Sequence, residues 1–188
     1  MNILIVNGHP SPSRSFANQR IIEALQKLLP QATVHTLAEV CINGQFDVGT
    51  EQEKLRKADL VVLQFPLYWY ALPGLTKTWW DEVFTYGFAY GASGNALHGK
   101  KLLPSLTTGA SLDEYKEGGA MNHGIETYLK PLEQSACYCG LEWMAPVVSG
   151  GMLVMEDVSS AEKRDFVQKQ AEVHARKVVE AIEGRNIG

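Results

Sequence analysis

Three stretches of this sequence carry residue types suited to holding a small polar molecule, and each follows a short apolar run. The first, Asn7-Gly8-His9-Pro10-Ser11-Pro12-Ser13-Arg14-Ser15-Phe16-Ala17-Asn18, leaves residues 3–6 and enters a segment of helical periodicity. A helix N-terminus presents unpaired N–H groups and the positive end of its dipole, a combination that favours phosphate. Ser15 is a good N-cap type, and Ser15, Asn18 and His9 can add side-chain hydrogen bonds to phosphate oxygens. Neither G-x-G-x-x-G nor G-x-x-x-x-G-K-[ST] occurs here, which argues against a dinucleotide fingerprint and against a P-loop. The same residues also fit a plain polar connection with an ordinary helix cap.

The second stretch, Gln64-Phe65-Pro66-Leu67-Tyr68-Trp69-Tyr70-Ala71-Leu72-Pro73-Gly74, sets three adjacent aromatics between two prolines. Burying all three in a tight turn is difficult. A flat, largely apolar wall with backbone groups at its edge suits a planar aromatic ligand better. The third, Thr107-Thr108-Gly109-Ala110, is small and polar, so its backbone can come close to the edge of a heterocycle. Tyr115, Gly118 and Gly119 follow in a segment placed to cover such a site.

These stretches need elements that bring them together. Residues 3–6, 33–37, 60–63, 101–107 and 143–148 read as strands. Helical spacing links Ile21, Ile22, Leu25, Leu28 and Leu29. It also links Leu72, Leu75, Trp79, Trp80 and Val83, and then Met121, Ile125, Leu129, Leu132 and Ala136, with a kink expected near Pro131. Val167, Ala171, Val178, Val179 and Ile182 share one face of a long helix over residues 160–183. Residues 51–57 are polar and helix-prone, and residues 86–101 read as a long loop. Strand and helix alternate throughout. This predicts an α/β fold with a five-stranded parallel sheet and helices on both faces, built as one domain over residues 1–188. In such sheets ligands sit beyond the carboxyl ends of the strands, where the three stretches begin.

With 188 residues, 45% hydrophobic and 20% charged, the composition is that of an ordinary globular chain. A net charge of −4 argues against nucleic acid as a partner. No apolar run is long enough to span a bilayer, and the N-terminus does not read as a signal peptide, so a cytoplasmic location is expected. Cys41, Cys137 and Cys139 are an odd set that reads as reduced thiols. The C-x-C pair has no second pair to complete a metal site, and no metal is expected. His35 and His174 read as packed or solvated side chains, His98 as structural, and Trp79 and Trp80 as core or dimer contacts.

Taken together, these residues resemble the NAD(P)H:quinone oxidoreductase family, which includes DT-diaphorase-like enzymes, general stress and drug-modulator reductases, and ancillary proteins of glutathione-gated potassium efflux. The resemblance runs through Gly8-His9-Pro10, Ser15-Phe16-Ala17-Asn18, Pro66-Leu67-Tyr68-Trp69-Tyr70, Leu72-Pro73-Gly74-Leu75-Thr76-Lys77, Trp80-Asp81-Glu82-Val83-Phe84, Gly87-Phe88-Ala89-Tyr90-Gly91, Leu97-His98-Gly99-Lys100 and Thr107-Thr108-Gly109. It covers most of the chain. The short length and Ala136-Cys137-Tyr138-Cys139-Gly140 look closest to the efflux-ancillary and bacterial reductase branch.

The resemblance implies a flavodoxin-like fold, a bound flavin and a homodimer with active sites at the subunit interface. His9, Ser15, Phe16, Ala17 and Asn18 would hold the flavin phosphate. Pro66, Leu67, Tyr68, Trp69 and Tyr70 would flank the ring, and Thr107, Thr108, Gly109 and Ala110 would bond its polar edge. Ala110 stands where the family commonly has glycine. In the family a tyrosine closely followed by a histidine assists hydride transfer. Tyr115 matches the tyrosine. His123 is the nearby histidine, at a longer offset than in several relatives, with Asn122 or Met121 as the alternatives at that place. The short chain favours FMN, with FAD as the alternative, and either NADPH or NADH as donor. The implied activity is two-electron reduction of quinones. Two further readings stand beside it: a regulatory flavoprotein docked peripherally on a membrane potassium-efflux transporter, at the inner face of the cell membrane, and a one-electron carrier of the flavodoxin type.

Overall fold

The computed structural model describes residues 1–184. Its strands are β1 (Ile3–Asn7), β2 (Thr33–Thr36), β3 (Leu60–Pro66), β4 (Lys101–Thr107), β5 (Glu142–Trp143) and β6 (Val147–Ser149). Its helices are α1 (Phe16–Leu28), α2 (Leu37–Val40), α3 (Val48–Lys57), α4 (Gly74–Val83), α5 (Ile125–Tyr138) and α6 (Ala161–Ile182). The strands lie in the order β2-β1-β3-β4-β5, with β6 also paired to β4, and every pairing is parallel. Among the described residues, no helix is long and apolar enough to cross a membrane.

The sheet is flavodoxin-like, with two apolar layers set by the alternation of side chains along each strand. Leu4, Val6, Val61, Leu63 and Leu102 face α3, α4 and α5, whereas Ile3, Ile5, Val62 and Leu103 face α1 and α6. Trp79 and Trp80 are core residues of the first layer. Trp80 stacks on Phe84 with ring centroids 3.9 Å apart.

Two sequence expectations need correction. Residues 143–148 do not form one strand. Trp143 pairs with Leu102 and Val147 with Ser105, so the incoming chain carries one more residue than β4 between these points. The extra residue is a bulge, placed at Met144–Pro146, where proline cannot donate to the ladder. Met121 does not belong to α5 either. Asn122 has a φ of 62°, which no right-handed helix can include, and the helix starts after Gly124. Pro131 lies inside α5.

The first layer also holds a buried polar pair between β2 and α3, formed by His35 and Glu51. Nε2 of His35 lies 2.6 Å from Glu51, whose carboxylate also accepts from Trp79 Nε1 at 2.8 Å and Lys54 Nζ at 2.7 Å. Burial pushes this carboxyl up. The hydrogen bonds from His35, Lys54 and Trp79 outweigh burial and hold it at about 2, against an ordinary value of 4.5. Its stabilising effect is therefore complete above pH 4.5 and is lost as pH falls toward 2. Glu51→Ala would strand His35 and the Trp79 indole without an acceptor. A loss of about 3–5 kcal/mol is expected in urea unfolding at neutral pH, shrinking as the pH is lowered.

Candidate functional site

The three loops meet at the carboxyl edge of the sheet. Gly8 N–H donates to Gln64 O at 2.8 Å as the chain leaves β1. Thr76 Oγ1 on α4 donates to Gly8 O at 2.7 Å, and a Cβ on Gly8 would lie only 2.4 Å from that oxygen. Glycine is needed there so that α4 can close on the start of the loop. His9 is buried, and its Nδ1 accepts from Ser11 N–H at 3.0 Å. The ring proton therefore sits on Nε2 and is donated to Tyr68 Oη at 3.1 Å. Burial lowers the pKa of His9, which keeps the ring neutral.

Ser15 caps α1 by accepting from Asn18 N–H at 3.3 Å. Its own hydroxyl proton stays available to a ligand. The N–H groups of Phe16 and Ala17 have no acceptor among the described residues. Asn18 turns away from this donor set: its Nδ2 donates to Asn7 Oδ1 at 2.7 Å, so it supports the loop from beneath.

The second loop is a two-residue turn in which Tyr68 and Ala71 exchange backbone hydrogen bonds. The turn residues, Trp69 and Tyr70, have φ values of 47° and 62°. Turns of this kind ordinarily use Asn-Gly. A side chain in the left-handed region costs about 1–2 kcal/mol. Trp69 is 92% exposed, so burial of its indole does not offset this. Strain held by bulky residues at the rim of a cavity is a mark of function. In the third loop Thr108 N–H donates to Ser149 O at 2.9 Å, and Thr108 Oγ1 donates to Ala110 O at 2.7 Å. The N–H groups of Gly109 and Ala110 have no acceptor among the described residues.

Between these loops lies a cavity of about 410 Å³, within the roughly 300–1,000 Å³ usual for small-molecule sites. His9, Ser15, Phe16, Ala17, Pro66, Leu67, Tyr68, Thr107, Thr108 and Gly109 line it. Two groups add to the residues singled out in the sequence. Arg14 brings a cation to the donor end, and Met152, Leu153 and Val154, which follow β6, add apolar lining. Arg14 was visible as a cation in the loop. The apolar lining carried no chemical signal and depends on how β6 docks. Trp69, Tyr70 and Ala110 do not line this cavity, and Ala110 stands next to the lining residue Gly109. Tyr70 instead borders a second, apolar cavity of about 180 Å³ between α4 and α5.

Tyr115 and His123 stand apart from the lining. Burial pushes the Tyr115 phenol up, partly opposed by the Thr108 side chain, so Tyr115 stays protonated at neutral pH. His123 is exposed. No hydrogen bond joins the two among the described residues; both rings instead pack against Tyr128, each at a centroid distance of 6.1 Å. Tyr128 also lies 4.9 Å from Tyr70 and donates its hydroxyl to Met121 O. The third sequence alternative, Met121, is thus the one held at the second loop, with Tyr70 Oη donating to its sulfur at 3.6 Å.

Comparison with known proteins agrees with the fold. A family model described as flavodoxin-like fold matches residues 1–177. The chain is 38% identical over 168 residues to the glutathione-regulated potassium-efflux system ancillary protein KefF of Enterobacter sp. (strain 638), covering 89% of this chain and 94% of that protein. It is similar to the structure of general stress protein 14 from Treponema denticola in complex with FMN, with a TM-score of 0.85 and 32% identity over 96% of this chain and 99% of that one. It is also similar to an NADPH-quinone reductase from P. pentosaceus, with a TM-score of 0.73 and 30% identity over 91% and 98%.

The strained turn yields a direct test. Trp69→Gly removes the left-handed penalty and little packing, less the extra unfolded-state freedom of glycine. Thermal or urea unfolding should show a gain of about 0.5–1 kcal/mol. A loss would mean that the indole is anchored rather than strained.

Proposed function

The chain belongs to the flavodoxin-like family of NAD(P)H:quinone oxidoreductases, and from that premise we propose that it is an FMN-dependent enzyme that passes two electrons from NADPH or NADH to a quinone or related acceptor. One observation carries this reading: a single cavity has anion donors at one end, backbone N–H groups at the other and apolar walls between. Phe16 and Ala17 N–H, the Ser15 hydroxyl and the Arg14 guanidinium form a set chemically matched to a phosphate monoester. The free N–H groups of Gly109 and Ala110 suit the carbonyl-bearing edge of a flavin ring. Pro66, Leu67, Tyr68, Met152, Leu153 and Val154, the apolar lining, suit its flat faces.

FMN, when bound, supplies the capacity to accept and return a hydride. The protein's part is binding, orientation and proton placement. Leu67, Met152 and Leu153 keep water from the walls of the cavity. His9, neutral and protonated at Nε2, fixes the Tyr68 hydroxyl without adding charge near the phosphate end. Tyr115 retains its phenolic proton and is the hydrogen-bond donor best placed beside Thr108 to stabilise negative charge that develops at the ring edge or on the acceptor. In this reading His123 acts through the Tyr128 cluster instead of by direct contact with Tyr115.

The reading includes a homodimer and a cytoplasmic location. A second reading, a flavoprotein subunit docked peripherally on a potassium-efflux transporter, is favoured by the likeness to the efflux ancillary protein. It is compatible with turnover, and co-purification with such a transporter would test it.

The test of the enzyme is reconstitution with FMN, followed by steady-state oxidation of NADPH and NADH against a quinone panel. Flavin retention and quinone-dependent turnover are expected; absence of both refutes the proposal. Ser15→Ala combined with Arg14→Ala should weaken FMN binding at least tenfold, read by flavin fluorescence. Tyr115→Phe should lower kcat by about 10–100-fold while leaving FMN affinity within about threefold.

A further inference from the structure

Just below the cavity, three strands place a polar side chain at one level of the sheet. Asn7 on β1 is in register with Gln64 on β3, and Gln64 with Ser105 on β4; all three are buried. A sheet covered on both faces normally carries apolar residues at such a level, because a buried polar group costs free energy unless it is hydrogen-bonded. The partner on the α6 side is His174, which is fully buried.

Both ring nitrogens of His174 are engaged. Nε2 lies 2.7 Å from Ser105 Oγ and Nδ1 lies 2.8 Å from Ser149 Oγ. Ser105 Oγ donates to Gln64 Oε1 at 2.6 Å. A hydroxyl has one proton, so Ser105 must accept from His174 Nε2–H, which leaves Nδ1 to accept from Ser149 O–H. The chain therefore runs in one direction: Ser149 to His174 to Ser105 to Gln64. Burial, reinforced by the charge of Lys177, pushes the imidazole down to about 3 and keeps it in the neutral form that this chain uses.

The two ends of the chain are the residues whose backbone carbonyls hold the site. Ser149 O accepts from Thr108 N–H at 2.9 Å, in the third loop. Gln64 O accepts from Gly8 N–H at 2.8 Å, in the first. We propose that His174 is a positioning residue of the cofactor cavity: from the α6 side of the sheet, in one tautomer, it locks Ser149 and Gln64 and through them sets the spacing of the phosphate loop and the ring-edge loop. It touches neither cofactor nor substrate. Only its effect on flavin binding rests on the proposed function; its effect on the two loops does not.

The test uses the full chain with FMN added, in wild type and in His174→Ala, His174→Gln, Ser105→Ala and Ser149→Ala. Nitrogen NMR of the His174 ring at neutral pH should show the proton on Nε2; a proton on Nδ1 overturns the chain. Amide hydrogen exchange should accelerate at least tenfold at both Gly8 and Thr108 in His174→Ala, with Ile5 in the middle of β1 unchanged. Ser105→Ala should accelerate Gly8 alone and Ser149→Ala Thr108 alone, and His174→Gln should restore part of the protection. Equal acceleration at Ile5, or no change at the two loop amides, overturns the proposal. FMN should dissociate about tenfold more readily from His174→Ala than from wild type, and unchanged dissociation with loosened loops would refute the positioning role. If FMN binds to no form, including wild type, the flavin reading falls and the exchange data still decide the role of His174. If His174→Ala does not fold, the two serine variants carry the same test.

Discussion

The site exists because the sheet's hydrogen-bond ladder continues past the ends of its strands. Gly8 N–H bonds Gln64 O, Leu67 N–H bonds Thr107 O, and Thr108 N–H bonds Ser149 O, each at 2.8–2.9 Å. These bonds join successive neighbours β1, β3, β4 and β6 at their carboxyl ends. All the strands run parallel, so every one delivers its loop to the same edge, and the ladder sets how far apart the loops stand. The donor end near α1 and the Gly109–Ala110 edge are thus held by one framework rather than by separate local turns. A change in strand register would displace both together.

Chemistry along the cavity is graded by this arrangement. The α1 end gathers N–H groups, a hydroxyl and the Arg14 cation, while burial keeps His9 neutral. The opposite end is small and polar without a net charge, and burial pushes the phenol of Tyr115, near Thr108, further above its ordinary value. One end is therefore suited to an anion, and the other to an uncharged polar group. The strained Trp69-Tyr70 turn fits the same division. It sends Trp69 outward and Tyr70 toward Tyr128 and Met121, which leaves Leu67 and Tyr68 to face the cavity.

Much of this was legible in the sequence because it depends on local signals. The apolar runs at residues 3–6 in β1 and 60–63 in β3 are continuous, as buried parallel strands require, and the helical faces repeat at 3.6-residue spacing. Ser15 before Phe16 reads directly as a cap, and the structure makes it one. What was not legible depends on register. The bulge at Met144–Pro146 is a mismatch between two strands, invisible in either alone. Met152, Leu153 and Val154 reach the cavity because β6 pairs with β4, and nothing in their residue types announces it. Spacing along the chain placed His123 near Tyr115, whereas the left-handed Asn122 and the start of α5 turn it out to the surface.

His174 shows why residue type alone is a poor guide to role. On a long helix among charged neighbours it reads as a packed or solvated side chain with no role assigned, and α6 crosses the sheet so that this position is sealed. A histidine there carries a donor and an acceptor on opposite sides of one rigid ring, which is what a chain linking two serines needs. Leucine would fill comparable space but would leave Ser105 with Gln64 as its one partner and take the ring acceptor from Ser149, breaking the link between them. Lysine or glutamate would bring a charge into an apolar layer formed by Val167, Ala171, Ala175 and Val178. The polar row at Asn7, Gln64 and Ser105 and the choice of histidine on α6 therefore constrain each other. Both lie one layer beneath the loops that present their N–H groups outward, and an apolar row would remove the side-chain link from Gln64 to Ser149 that runs under them.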